Sequence, residues 1–177
     1  MDCDRTEPRV QRPAQLIGIE PGNLRDITYV AANMRERDRE EVLATAALDC
    51  ASPAGWLSWA VSGPDWCWTA QIDGQPVGAF GIGQGTPLQP HIRTAWAFGT
   101  DRFKRVVPVI SRFCRENWPE MLISVGVTRV EIRSLASHDI AARWLKSMGA
   151  RQEALMTGYG VNSEDFVLWA LLKKDFE

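Results

Sequence analysis

The residues best suited by type and spacing to chemistry lie between Thr100 and Arg105. Thr100-Asp101-Arg102-Phe103-Lys104-Arg105 gathers a hydroxyl and three basic side chains just after a strand-like run. Arg102, Lys104 and Arg105 can offer positive charge to a phosphate. The same stretch also reads as a basic surface turn with Thr100 as a cap, since a small basic cluster is not specific to anion binding. Nucleophilic chemistry has less support, because no Cys/His or Ser/His pair stands out. The four cysteines form no C-x-x-C pair, and the only histidines, His91 and His138, lie far apart. No metal site or disulfide framework is expected, and the cysteines read as buried free thiols.

The elements that must position these residues follow from periodicity. Arg129–Arg133 alternates apolar Val130 and Ile132 with charged neighbours, as a half-buried strand does. A helix follows, with Ser137 as its expected cap, Asp139 in its first turn, and Ile140, Ala141, Trp144, Leu145 and Met148 on its apolar face. Gly149 suits its left-handed stop. Upstream, Leu16–Ile19 reads as a strand, and Asn23 as the cap of a helix through Ile27, Val30 and Met34. The mixed-sign run Arg35–Glu41 reads as a solvated helical face, with Asp38 able to cap a second helix from Arg39 to about Leu48. A short helix is expected around Trp56, Leu57 and Trp59. Trp66–Ile72 and Pro76–Ile82 form a hairpin around Asp73-Gly74, and Arg93–Phe98 gives a third strand. Pro108–Val125 is helical, with Pro119 expected to kink or split it. Glu153–Tyr159 and Phe166–Leu172 close the chain as strands.

Composition bounds the function. At 177 residues, with 45% hydrophobic and 24% charged residues, the chain can bury a substantial core as one domain, 15–177, behind a polar arm, 1–14. A net charge of −2 gives no global reason for nucleic-acid binding. No apolar run is long enough to span a bilayer and no signal peptide opens the chain, so a cytoplasmic origin is expected. Most of the eight tryptophans are expected as core anchors.

The order of elements, together with Thr128–Ala150, resembles the GNAT (Gcn5-related) acyltransferase family. There a strand leads to N-x-x-A, an aromatic pair and a glycine helix end. The resemblance implies an α/β (α+β) sandwich whose mixed, mostly antiparallel central sheet is flanked by helices. It also implies acetyl-CoA as cofactor, its pyrophosphate cradled by backbone N–H groups of a Q/R-x-x-G-x-G/A loop. Here that segment is Trp96 to Val106, with Gly99 its one glycine, Phe103 where a second is wanted, and Asp101 beside the anion. Under the resemblance, Ala97, Phe98 and Gly99 would follow pantetheine. Thr100, Arg102, Lys104 and Arg105 would lie at the phosphates. His138 falls at the family's cofactor-contacting asparagine, with a partly exposed ring expected. Leu145 occupies the position of the tyrosine that serves many members as general acid, and leucine has no proton to donate. Glu131, Glu153 and Asp165 are the carboxylates near the implied cleft, and no residue is assigned a catalytic role.

A narrower resemblance rests on the glycine-poor loop and Trp144-Leu145-Lys146-Ser147-Met148-Gly149-Ala150. It is similar to the acetyltransferase-like internal virion and head proteins of short-tailed bacteriophages. This implies a catalytically degenerate protein without a cofactor, in a structural or assembly role. It would be made in the host bacterial cytoplasm and carried into the virion. Its partners would be other virion proteins in a homo- or hetero-oligomeric assembly, with no direct contact to nucleic acid or membrane. The alternative is an active acetyl-CoA-dependent N-acyltransferase acting on an amine. An open cleft between the strands at Phe98 and Ile132 would favour it.

Overall fold

A computed structural model of the chain describes residues 15–45, 54, 55, 57 and 66–176. The expected arm 1–14 lies outside these residues, as do Trp56 and Trp59. Residues 54, 55 and 57 of the expected short helix are helical. Seven strands form one sheet in the order β1-β2-β3-β4-β5-β7-β6. They are β1 (Ile17–Pro21), β2 (Trp66–Ile72), β3 (Gln75–Gln84), β4 (Ile92–Gly99), β5 (Arg129–Leu135), β6 (Arg151–Met156) and β7 (Phe166–Leu172). Only the β4–β5 pair is parallel. Helices α1 (Leu24–Ala32), α2 (Glu36–Leu43), α3 (Val107–Ser124) and α4 (Asp139–Ser147) flank it. This is the expected α/β sandwich with a mostly antiparallel sheet.

Local chemistry explains most element ends. Asn23 caps α1 by accepting the Asp26 N–H at 3.0 Å. Asp73 and Gly74 hold φ of 53° and 77°, the left-handed pair that a tight two-residue hairpin between β2 and β3 requires. Gly149 ends α4 at φ 90°. Alternation along each strand then assigns the faces. On one face, Phe80, Ile110 and Cys114 join a core beneath α3, while Trp169 and Val167 pack with Leu145 of α4. On the other, Ala79 and Phe98 pack against Ile27, Val30 and Ala31 of α1.

Several expectations change. α3 is not split at Pro119; it continues to Ser124. The carbonyl four residues back, which the proline cannot bond, belongs to solvent-exposed Arg115, where water can serve it. Ser137 does not cap α4: His138 is the N-cap and its side chain makes no cap bond. Ile140 is 57% exposed, so the apolar face of α4 is Ala141, Trp144, Leu145 and Met148. Asp38 lies inside α2, whose N-cap is Arg35. Among the described tryptophans only Trp169 is fully buried; the others are half-buried.

Trp169 joins β7 to β5 through packing and through its indole N–H, which donates to Ser134 Oγ at 3.0 Å. Trp169→Ala should therefore cost about 3–5 kcal/mol in urea denaturation. A loss below about 1 kcal/mol would mean that this half of the core does not rest on that ring.

Candidate functional site

The parallel strands β4 and β5 pair over three positions only, Ile92 with Arg129, Arg93 with Val130 and Thr94 with Glu131. Beyond Thr94 and Glu131 they diverge. The gap opens into a cavity of about 290 Å³ that passes through the sheet. Ile110, Cys114, Trp118, Trp144, Leu145 and Met148 line it on the α3/α4 side. Glu41, Val42, Thr45, Tyr159 and Phe166 line it on the α2 side. Ala97, Phe98 and Ile132 form the walls between. The expected cleft is open among the described residues. Its walls are mainly apolar, and burial holds the Cys114 thiol protonated by pushing its pKa up to about 12.

Where two strands separate, backbone groups lose their sheet partners and need others. α2 supplies them. Asp38 accepts the Gly99 N–H at the end of β4 at 2.8 Å, and Glu41 accepts the Leu135 N–H at the end of β5 at 2.9 Å. Spaced i and i+3, the two carboxylates share one face of the helix. Arg35 completes the first contact: its guanidinium pairs with Asp38 at 2.7 Å, and its own N–H donates to the Gly99 carbonyl at 2.9 Å. His138 completes the second, with Nδ1 3.1 Å from the Glu41 carboxylate. His138 is only 3% exposed, which corrects the half-exposed ring expected from its place at a helix start. Its Nε2 is buried without a partner among the described residues.

The Gly99–Val106 turn is bonded largely within the chain. Besides Gly99, the Thr100 N–H donates to Val77, the Arg102 N–H to Thr100 Oγ1, and the Phe103 N–H to the Thr100 carbonyl. The Arg105 and Val106 N–H groups close a 3-10 turn on Arg102 and Phe103. Phe103 itself is 1% exposed. Its ring lies on Gly78 and Gly99, adjacent in the β3–β4 register, where a Cβ would come within 2.6 Å and 2.2 Å of ring carbons. The bare backbone of these two glycines makes the slot for the ring. The Arg35 guanidinium covers its other surroundings, 4.7 Å from the ring centroid, and Trp144 meets it edge-on.

The candidate residues therefore divide. Ala97 and Phe98 border the cleft, Gly99 meets Asp38, and Thr100 organises the turn. Lys104 and Arg105 are exposed, Arg105 reaching Gln15 at 3.1 Å, and Arg102 is half-buried. His138 stands apart from the turn, on the α2 side with Glu41. Two of the three carboxylates near the implied cleft are paired with arginine. Glu131 lies between Arg129 at 2.8 Å and Arg133 at 3.0 Å, and Glu153 takes Arg129 across β7 at 2.5 Å. The arginine lowers the pKa of Glu153. Asp165 accepts the Gly158 N–H in a loop.

Sequence reasoning missed Glu41, Asp38, Trp118, Arg133 and Tyr159. For the first two a signal existed. Glu-Arg-Asp-Arg-Glu-Glu-Val-Leu has too few apolar residues for a core-facing stripe, so a docked helix of that sequence must turn charge inward.

The sheet, its split between β4 and β5 and its flanking helices define an acyltransferase-like fold of the GNAT class. No family model matches the chain, and no curated protein matches its sequence. Solved structures do. Ribosomal-protein-S5-alanine acetyltransferase from Vibrio fischeri superposes with TM-score 0.66 at 14% identity, covering 93% of this chain and 99% of its own. A probable GNAT-family acetyltransferase from Chromobacterium violaceum gives 0.67 at 13%, covering 90% and 89%. RimJ from Mycobacterium smegmatis, in complex with CoA-disulfide, gives 0.65 at 16%, covering 90% and 83%. At these identities the likeness establishes the fold.

Burial raises the pKa of Asp38 above the ordinary carboxylate value, overriding the opposing pull of Arg35 and the Gly99 N–H. An acid whose pKa rises on folding opposes folding when it ionises. Its contribution therefore falls as pH climbs from about 3.9, the unfolded value, through the folded one. Asp38→Asn should flatten the stability–pH profile over that window. It should also cost about 1–3 kcal/mol, since Arg35 loses its counter-charge. Urea titrations across the window read both effects; an unchanged slope would show that Asp38 does not set it.

Proposed function

We propose that this chain is a GNAT-fold protein that has lost acetyl-CoA chemistry and serves a structural or assembly role in a short-tailed bacteriophage. On this reading it is made in the host cytoplasm and ends in the virion beside other virion proteins. The observation that carries the loss of chemistry is the Asp38 carboxylate on the Gly99 N–H. A buried acid, paired with Arg35, occupies a backbone donor of the strand end that would otherwise follow pantetheine. Phe103 fills the bare-backbone surface beside it. The N–H groups of Thr100, Arg102, Phe103, Arg105 and Val106 are already engaged, and Pro108 in the first turn of α3 has none to give. On this reading the turn keeps too few donors for the phosphate end of acetyl-CoA, since only the N–H groups of Asp101, Lys104 and Val107 are not engaged within it. Leu145, at the general-acid position, adds to the same conclusion. The virion half of the proposal is supported by the Trp144–Ala150 phrase.

Calorimetric titration with acetyl-CoA at micromolar concentrations should show no saturable heat, and saturable binding there would overturn the loss of cofactor chemistry. The protein should also be found by mass spectrometry in purified particles at a fixed ratio to the capsid protein. Its presence only in the host lysate would overturn the virion role.

The open cleft favours a second reading, an N-acyltransferase acting on an amine. On that reading acetyl transfer to a panel of primary amines should be measurable. It should weaken when Arg102 and Lys104 are replaced by alanine; no turnover removes this reading.

A further inference from the structure

Along β1 and β2 the α3 side of the sheet is only partly covered. Ile17 and Ile19 of β1 lie on that face, packed against the core beneath α3, and Pro21 follows them at the strand's period of two. Register sets Pro21 beside Trp68 of β2. Trp68 meets the ring of Phe113 on α3 edge-on, centroids 5.2 Å apart. Val109, one turn before Phe113, shares its flank of the helix. Ile17, Ile19, Trp68, Val109 and Phe113 are half-buried and Pro21 is exposed. A continuous strip of aromatic and aliphatic side chains at partial exposure has the composition of an interface centre.

Charge at the two ends of the strip decides what fits it. Where β1 begins, Arg105 is exposed and is held beside the strand by Gln15, to which it donates at 3.1 Å. At the other end Glu116 and Glu120 are exposed, three and seven positions after Phe113 and so on its flank of α3. The opposite flank, with Ser111 and Arg115, is turned to α4. Neither Arg105 nor the two glutamates form an ion pair with a described residue. At about 1.5 Å per helical residue the cation and the acids stand roughly 16–22 Å apart, with Phe113 near the midpoint. Turned by half a revolution about Phe113, such a surface meets itself with opposite charges facing at both ends.

We propose that this strip is a homodimer interface, two copies packing it face to face about a two-fold axis near Phe113, with Arg105 of each against Glu116 and Glu120 of the other. The apolar middle supplies the buried area, and the charged ends set the register. The dimer names a partner for the assembly role proposed above but stands on this face alone. A monomeric chain would overturn it without touching the particle assay that tests that role.

Sedimentation equilibrium on the full chain tests the interface. The chain should run as a dimer at micromolar concentration. Glu116→Arg combined with Glu120→Arg, or Arg105→Glu alone, would set like charges together at both ends of the strip. Each variant should weaken dimerisation at least about tenfold. Mixed in equal amounts, the two variant chains should recover the dimer, because each end again joins opposite charges. Circular dichroism reports whether both are folded. Where one is not, salt decides: raising sodium chloride from about 0.05 to 0.5 M should weaken the unaltered dimer by screening its exposed charges, and an unchanged dimer overturns the proposal. A monomer, folded variants that dimerise as tightly as the unaltered chain, or no recovery on mixing also overturns it. So does growth beyond a dimer, since a two-fold contact closes on itself.

Discussion

The structure depends on one helix satisfying two strand ends that the sheet leaves unpaired. β4 and β5 must run parallel, and they part after three residue pairs. Their terminal N–H groups then face a gap instead of a neighbour, and an unmet buried N–H costs about 1–3 kcal/mol. Asp38 and Glu41, one turn apart on α2, take one strand end each. The helix therefore packs by its charges more than by apolar surface, which explains why so polar a segment folds against the sheet. Burying carboxylates in this way costs desolvation, offset by Arg35 at one end and by the contact with His138 at the other.

This arrangement also decides what the turn after β4 can do. A helix-borne carboxylate at Gly99, a phenyl ring set on paired glycines and a 3-10 turn bonded within itself tie this loop into the packing. None of these contacts disturbs the sheet order. The fold is kept by strand register and apolar alternation, whereas phosphate affinity depends on a few donors being left free.

How much was legible in the sequence follows from the range of the interactions involved. Elements set by local rules were readable, including the hairpin at Asp73-Gly74, the Asn23 cap, the Gly149 stop and the alternation of Phe166–Leu172. The shortage of glycine around Phe103 was readable too, though not the reason for it, because Gly78 lies 25 residues away and meets the ring only through the β3–β4 register. Asp38 and Glu41 read as solvent-facing because sequence reveals charge but not the unpaired N–H groups that attract it. His138 read as half-exposed for the same reason: its partner is 97 positions distant. Paired Glu131 and Glu153 were hidden by an ion pair that crosses the sheet over β7, a contact that no spacing within one strand announces.

The short β4–β5 pairing has a mechanical meaning. β1 to β4 form one plate and β5 to β7 another, joined along three residue pairs. Apolar packing crosses the joint close to those pairs, where Ile82 and Ala95 meet Val130, Leu122 and Val127. The far end is spanned on one face by the hydrogen bonds and ion pairs of α2, and on the other by Trp144 against Phe103 and Ser111. The width of the gap is therefore set by side chains at both ends of the joint, and substitutions in α2 or at Trp144 reach it without touching either plate's own strand pairing.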